Sequence, residues 1–292
     1  MKAQILKILN GNMTAKFENQ VLQCIPNGKT KKQLIHVGDI VEITENKFGE
    51  KFVVEKIYER NNLLLRPPLA NLDQLFIIIS RTPITDYLLV DKLIIYSLIN
   101  NIVPYIIINK SDMYQPGEIK DIIEQYKNTV QDILVVSAKE GIGIENVIKY
   151  LPNKLSAFSG QSAVGKSTLL NAINPDLKLH TNTLSRKTDR GRHTTRHSEI
   201  YLLENNIMIA DTPGFSLLNL DFNIEPKDLS YYYLEFDKYR NCKYNNCDHT
   251  NPDDTTCKIA NAVNNGKINK KRYLRYIEMY NKLYEKWRKK YD

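Results

Sequence analysis

The octapeptide Gly160-Gln161-Ser162-Ala163-Val164-Gly165-Lys166-Ser167 restricts the fold more than any other stretch of this 292-residue chain. It satisfies the pattern G-x-x-x-x-G-K-[ST], whose glycines let the backbone curl until its N–H groups face a phosphate. Such a loop works between a strand and a helix, because the positive end of the helix completes the anion site. The flanks agree: "LSAFSG" leads in as a short apolar run and "KSTLLNAI" follows with helical spacing. Lys166 is expected to reach the outer phosphates and Ser167 to ligate magnesium, with Thr168 next in the contact set. More than half the chain precedes this loop, so the residues before it need an explanation.

From residue 69 the chain alternates short apolar runs with helical patterns. "LFIIIS" (75–80), "YIIINK" (105–110) and "ILVVS" (133–137) read as buried parallel strands. "DYLLVDKLIIYSLI" (86–99) and "GEIKDIIEQYK" (117–127) read as helices between them, and "EIYLLE" and "IMIAD" add two later strands. This is the rhythm of a doubly wound α/β domain over residues 69–221. Residues 1–66 differ: "QILKIL", "TAKF", "QVLQCI", "DIVEIT" and "FVVEKIY" are short strands separated by turn residues, which suits a five-stranded barrel of the oligonucleotide-binding type. Arg66-Pro67-Pro68 marks the junction. Residues 222–292 read as helical around a cysteine-rich insert.

Several strand ends carry further chemistry. Asn109-Lys110-Ser111-Asp112 is an N-K-x-D element, in which Asp112 can accept hydrogen bonds from guanine N1–H and the exocyclic amine, a pair adenine does not offer. Asn109 and Lys110 would brace the loop and cover the ring. Ser137-Ala138-Lys139, at the end of the next strand, matches the companion base-contacting turn. Asp211-Thr212-Pro213-Gly214 matches D-x-x-G, with Asp211 expected to hold a magnesium-bound water and the Gly214 N–H to meet the γ-phosphate. The basic, hydroxyl-rich "DRGRHTTRHSE" (189–199) fits a first switch, where Thr194 or Thr195 closes on magnesium. These elements are those of a GTPase, but the phosphate loop comes third instead of first. The order describes a circular permutation, the same sheet cut between two other elements.

Two compositional features bear on partners. Three of four cysteines cluster with a histidine as Cys242-x4-Cys247-x-His249-x7-Cys257, a closed Cys3His set of structural zinc type. Cys24 is left over and is expected to be a core residue of the barrel. Lys and Arg number 41 against 33 acids, and the net charge is +8. Between Gly266 and Asp292, ten basic residues oppose three acids, a local +7 that suggests a polyanionic partner such as nucleic acid. "KTKKQLIH" (29–36), in a barrel loop, adds a second basic stretch. No secretory leader and no run of about 18 apolar residues is visible, so a cytoplasmic protein without a membrane span is expected.

The motif order, the barrel and the cysteine cluster together resemble the bacterial small-ribosomal-subunit-dependent GTPase family, RsgA. The resemblance rests on "NKSD", "GQSAVGKST", "GRHTTRH", "DTPGFS" and the Cys3His set, and covers essentially the whole chain. It implies a monomeric GTPase that acts in late maturation of the small ribosomal subunit and contacts its rRNA, stimulated by that subunit. Magnesium would accompany GTP, held by Ser167 and Thr195, and one structural zinc would sit on the Cys3His set. Phe215 stands where many GTPases place a water-orienting glutamine. The resemblance suggests a switch histidine instead, His193 before His197. An ATP-using P-loop enzyme and a zinc-dependent RNA-binding module with an inactive nucleotide site are the alternatives.

Overall fold

The structure is a computed structural model that describes residues 1–28, 30–46, 49, 51–65, 68–179, 198–211, 224–253 and 255–291, without the side chains of Lys32, Asp211 and Tyr291. His193, Thr194, Thr195, His197, Gly214 and Phe215 lie outside the described residues. Five strands, β1 (Lys2–Leu9), β2 (Asn12–Phe17), β3 (Gln20–Pro26), β4 (Ile40–Thr44) and β5 (Phe52–Ile57), pair in the order β1-β2-β3-β5-β4. A further β1–β4 pairing closes the ring. Inward-facing Ala3, Ile5, Met13, Ala15, Cys24, Val41, Ile43 and Val54 fill it. Cys24 is thus a core residue, and burial pushes its thiol up to about 11.

Strand β1 serves two cores. Its register with β2 shifts between Ile5 and Lys7. The extra residue, Leu6, turns away from the barrel and joins the core of the α/β unit. Two strands, β6 (Leu63–Leu65) and β7 (Pro68–Ala70), then pair antiparallel on either side of Arg66 and Pro67. This hairpin seats closely on the barrel. Gly38 has φ +90°, and a Cβ there would lie 2.0 Å from the Ala70 carbonyl oxygen, so only glycine admits the contact.

The α/β unit contains β8 (Gln74–Ser80), β9 (Val103–Asn109), β10 (Ile133–Val135), β11 (Leu155–Gly160), β12 (Glu199–Leu202) and β13 (Met208–Asp211). Their order is β10-β9-β8-β11-β13-β12. All neighbours are parallel except β12, which runs antiparallel to β13 and pairs with β1 at Lys7 and Glu199. Both faces are covered, which is why the strands read as unbroken apolar runs. Leu75, Ile77 and Ile79 pack under α1 (Tyr87–Ile99) and α2 (Glu118–Tyr126). Phe76 and Ile78 pack under α3 (Ile144–Ile148) and α4 (Lys166–Ile173).

The C-terminal unit holds α5 (Lys258–Asn264) and α6 (Lys270–Tyr291), and no strand among the described residues follows β13. It docks on α1 through Ile95 and through a buried ionic cluster. Asp91 of α1, fully buried, accepts from Arg272 at 2.7 Å, from Arg275, and from the Tyr126 hydroxyl at 2.8 Å. Arg272, only 1% exposed, also pairs with Glu235. Two of the tail's arginines therefore face inward and are not offered to a polyanion. No helix among the described residues is long and apolar enough to cross a membrane.

Removing one member of a buried ion cluster leaves an uncompensated charge, so Asp91→Ala should cost about 3–5 kcal/mol in denaturant unfolding. Lys282→Ala, which breaks the exposed pair with Glu278, should cost no more than about 1 kcal/mol.

Candidate nucleotide site and metal centre

Parallel register brings the motif-bearing loops to one edge of the sheet, the carboxyl ends of β8, β9, β10, β11 and β13. Ser80 lies opposite Asn109, and Ile78 opposite Gly160. Ligands bind at this edge in open α/β sheets. The crossing point is Asn109, 1% exposed at the end of β9. Its amide nitrogen donates to the Val164 carbonyl at 2.9 Å, inside the phosphate loop. Its amide oxygen accepts from the Ala138 N–H at 3.1 Å, inside the Ser137-Ala138-Lys139 turn. Lys110 adds a second brace, donating to the Ala163 carbonyl at 2.8 Å and to the Thr82 carbonyl at 2.7 Å. Asn109 and Lys110 thus both hydrogen-bond to the phosphate loop.

Asp112 stands beyond them in a single helical turn, Ser111–Met113, anchored by Ser111 N–H to the Val136 carbonyl. The Ser137 hydroxyl donates to one Asp112 oxygen at 2.5 Å. That hydrogen bond, helped by Lys139 and Lys110, holds the Asp112 carboxyl below its usual range. Asp112 is therefore an ionised acceptor, the form that can read two adjacent N–H groups of a base.

Gly165, at φ +95°, precedes α4. A Cβ there would come within 2.4 Å of the Asn109 amide nitrogen, so the brace and this glycine require each other. Gly165 offers no side-chain cap, which leaves the N–H groups of the first turn, with Ser167 and Thr168, to an anion. Lys166 makes no ion pair or hydrogen bond among the described residues. Gly160, Gln161, Ser162, Ala163 and Val164 complete the loop. The Gln161 side chain accepts from the Asp86 N–H at 2.8 Å, which ties the loop to the start of α1. Sequence reading missed that tie, although Asp86 announces itself as a cap by preceding "YLLV" and accepting from Leu88 and Leu89. Asp211 ends β13 at the same edge, and its side chain lies outside the described residues.

In the C-terminal unit, Cys242, Cys247, His249 and Cys257 place their donor atoms within 4.8 Å of one another. His249 Nδ1 lies 3.6 Å from Cys242 Sγ and 3.5 Å from Cys257 Sγ, and those sulfurs are 3.9 Å apart. A tetrahedral zinc with ordinary bond lengths has edges of about 3.8 Å between sulfurs and about 3.6 Å between sulfur and nitrogen. The set therefore fits a four-coordinate ion, and it could hold one. Main-chain N–H groups of Lys258 and Ala260 point at Cys242 and Cys257, an arrangement that supports thiolates. Burial raises Cys247 to about 12 and also raises Cys257. A dication reverses that preference by its own charge. His249 is lowered by burial and by Arg240, so it offers a neutral ring nitrogen. Tyr273 and Tyr276 hold this loop by donating to the His249 and Asp248 carbonyls.

Fold and site together define a circularly permuted P-loop GTPase carrying an N-terminal five-stranded barrel and a C-terminal helical unit with a Cys3His cluster. The chain belongs to the RsgA GTPase family, whose model matches residues 57–221. It is 38% identical over 267 residues to the small ribosomal subunit biogenesis GTPase RsgA of Thermotoga neapolitana, covering 90% of this chain and 89% of that one. The crystal structure of YjeQ from Thermotoga maritima superposes with a TM-score of 0.82 at 33% identity, over 97% and 98% of the two chains. The structure of YloQ, described as a circularly permuted GTPase, gives 0.80 at 30% identity, over 98% and 95%.

Gly165→Ala and Asn109→Ala should each weaken binding of a fluorescent GTP analogue by about tenfold or more, a loss of at least about 1.4 kcal/mol. Elemental analysis of the purified protein should find one bound metal ion per chain, and none in Cys257→Ser.

Proposed function

We propose that this chain binds GTP at the assembled site, hydrolyses it to GDP and phosphate, and acts in maturation of the small ribosomal subunit, whose docking stimulates turnover. The observation that carries this reading is the double brace by Asn109, which joins a phosphate loop to a guanine-reading turn. The names of the relatives support the ribosomal role. Lys166 stabilises charge on the phosphates, and Ser167 would hold magnesium together with Thr195 (or Thr194). Asp211 would help to hold that ion, and the Gly214 N–H would meet the γ-phosphate. With Phe215 unable to orient water, His193 takes that part before His197. Magnesium, when bound, would supply positive charge that neutralises the phosphates.

Three units divide the work. Residues 1–66 contact rRNA, with the 29–36 loop as one contact. Residues 69–221 carry the nucleotide, and residues 222–292 hold a structural zinc on Cys242, Cys247, His249 and Cys257 and extend basic residues toward RNA. The protein works in the cytoplasm as a monomer, with no membrane partner.

Phosphate release from GTP should rise when purified small subunits are added. Lys166→Ala should lower the subunit-stimulated rate by about 100-fold or more, as loss of a charge-stabilising donor does. A wild-type rate indifferent to subunits would contradict the reading.

A further inference from the structure

Helix α6 outruns the core it packs on. Tyr273, Tyr276 and Met279 are at most 2% exposed. From residue 281 to residue 290, every position except Leu283 is exposed. Ring packing continues nonetheless. Tyr276, Tyr280, Tyr284 and Trp287 follow one another with centroids 6.1, 6.3 and 6.0 Å apart, and the Tyr280 and Tyr284 rings are within 10° of parallel. Their spacing of four, four and three residues keeps them on one helical face. Arg288, four residues after Tyr284, and Lys290, three after Trp287, share this face of the helix.

The inner end of this ladder opens on a polar cavity of about 650 Å³ whose outer wall carries Tyr231, Tyr244, Asn245 and Asn246 beside Tyr276 and Tyr280, and whose floor is the metal centre, with Cys242, Cys247 and His249. Tyr231 and Tyr244 are 62% and 56% exposed. Each carries a cation over its ring, Arg240 at 4.8 Å and Lys243 at 5.6 Å. Flat aromatic faces backed by fixed positive charge match a ligand with flat bases and a phosphate backbone. Duplex RNA hides its base faces and needs only the charges. A membrane surface needs a broad apolar face, and Leu283 is the one aliphatic residue between 281 and 290.

We propose that the Tyr280-Tyr284-Trp287 face and the adjoining Tyr231/Tyr244 cavity form a track for a short run of unpaired ribonucleotides. Bases stack on the rings and phosphates lie against Arg288 and Lys290 along the helix and against Arg240 and Lys243 at the cavity. The innermost base enters the cavity, where the Asn245 and Asn246 amides can meet its edge. The inference rests on the ribosomal reading above and specifies the kind of RNA this unit takes.

Trp287 is the sole tryptophan, so its emission reports the outer end of the track directly. The full-length protein is titrated with a mixed-sequence heptaribonucleotide, with a duplex of the same sequence, and with anionic phospholipid vesicles. The single strand should quench Trp287 saturably, and the duplex should not. Tyr231→Ala with Tyr244→Ala should weaken single-strand binding by about tenfold or more, the usual effect of losing a base-stacking ring, while the Phe counterparts retain it. Arg288→Ala with Lys290→Ala should instead flatten the salt dependence. Equal quenching by duplex, binding indifferent to the Tyr→Ala changes, or quenching by vesicles alone would overturn the proposal. Subunit-dependent GTP hydrolysis is measured in parallel on the unchanged protein. Single-strand quenching with subunit-indifferent hydrolysis supports the track and breaks the functional reading. Stimulated hydrolysis without single-strand preference breaks the track alone.

Discussion

The side-chain amide of Asn109 holds three separate stretches of chain in one place. It gives its N–H to the phosphate loop and takes one from the base-contacting turn, while its own main chain ends β9. A buried amide with both ends satisfied specifies position closely, because losing either partner strands a polar group away from water. The brace explains why Gly165 admits no side chain, and it explains why chain order is immaterial to the site. What matters is that β9, β10 and β11 end on the same edge in parallel register, and the permuted chain preserves that.

Permutation changes what adjoins the site. Helix α1 is tied at its first turn to the phosphate loop, through the Asp86 N–H and Gln161. One turn further on, it is tied to the C-terminal unit through Asp91, Arg272 and Arg275. Arg272, fully buried, and Arg275, partly buried, face two acids, Asp91 and Glu235, in a cluster whose formal charges balance. Such clusters specify a geometry more than they stabilise it. The nucleotide edge and the base of α6 are therefore joined by one short, continuous helix.

Much of the site was legible because its chemistry is local. The phosphate loop, N-K-x-D and the Cys3His spacing each need particular residue types within a few positions, and the apolar runs of β8 and β9 could only be doubly covered strands. Long-range features were not legible. The bulge at Leu6 shows only once β1 is seen facing two cores. The antiparallel β12 that joins the α/β sheet to the barrel gives no local sign. Charge counting assigned Arg272 and Arg275 to a basic tail, because their partner Asp91 lies 181 and 184 residues away in sequence. The phosphate loop's late position, by contrast, was explained correctly from motif order alone.

The central claim is that one guanine-specific site is assembled from these permuted pieces, and base specificity tests it most directly. Affinities for GTP and xanthosine triphosphate are measured on the native protein and on Asp112→Asn. Asparagine cannot accept both guanine N–H groups, but its amide can donate to the oxygen that xanthine carries in place of the exocyclic amine. The account predicts that GTP binding falls about 100-fold or more, as two hydrogen bonds to a charged group are lost, and that xanthosine triphosphate binding rises. GTP affinity unchanged by the substitution would contradict it.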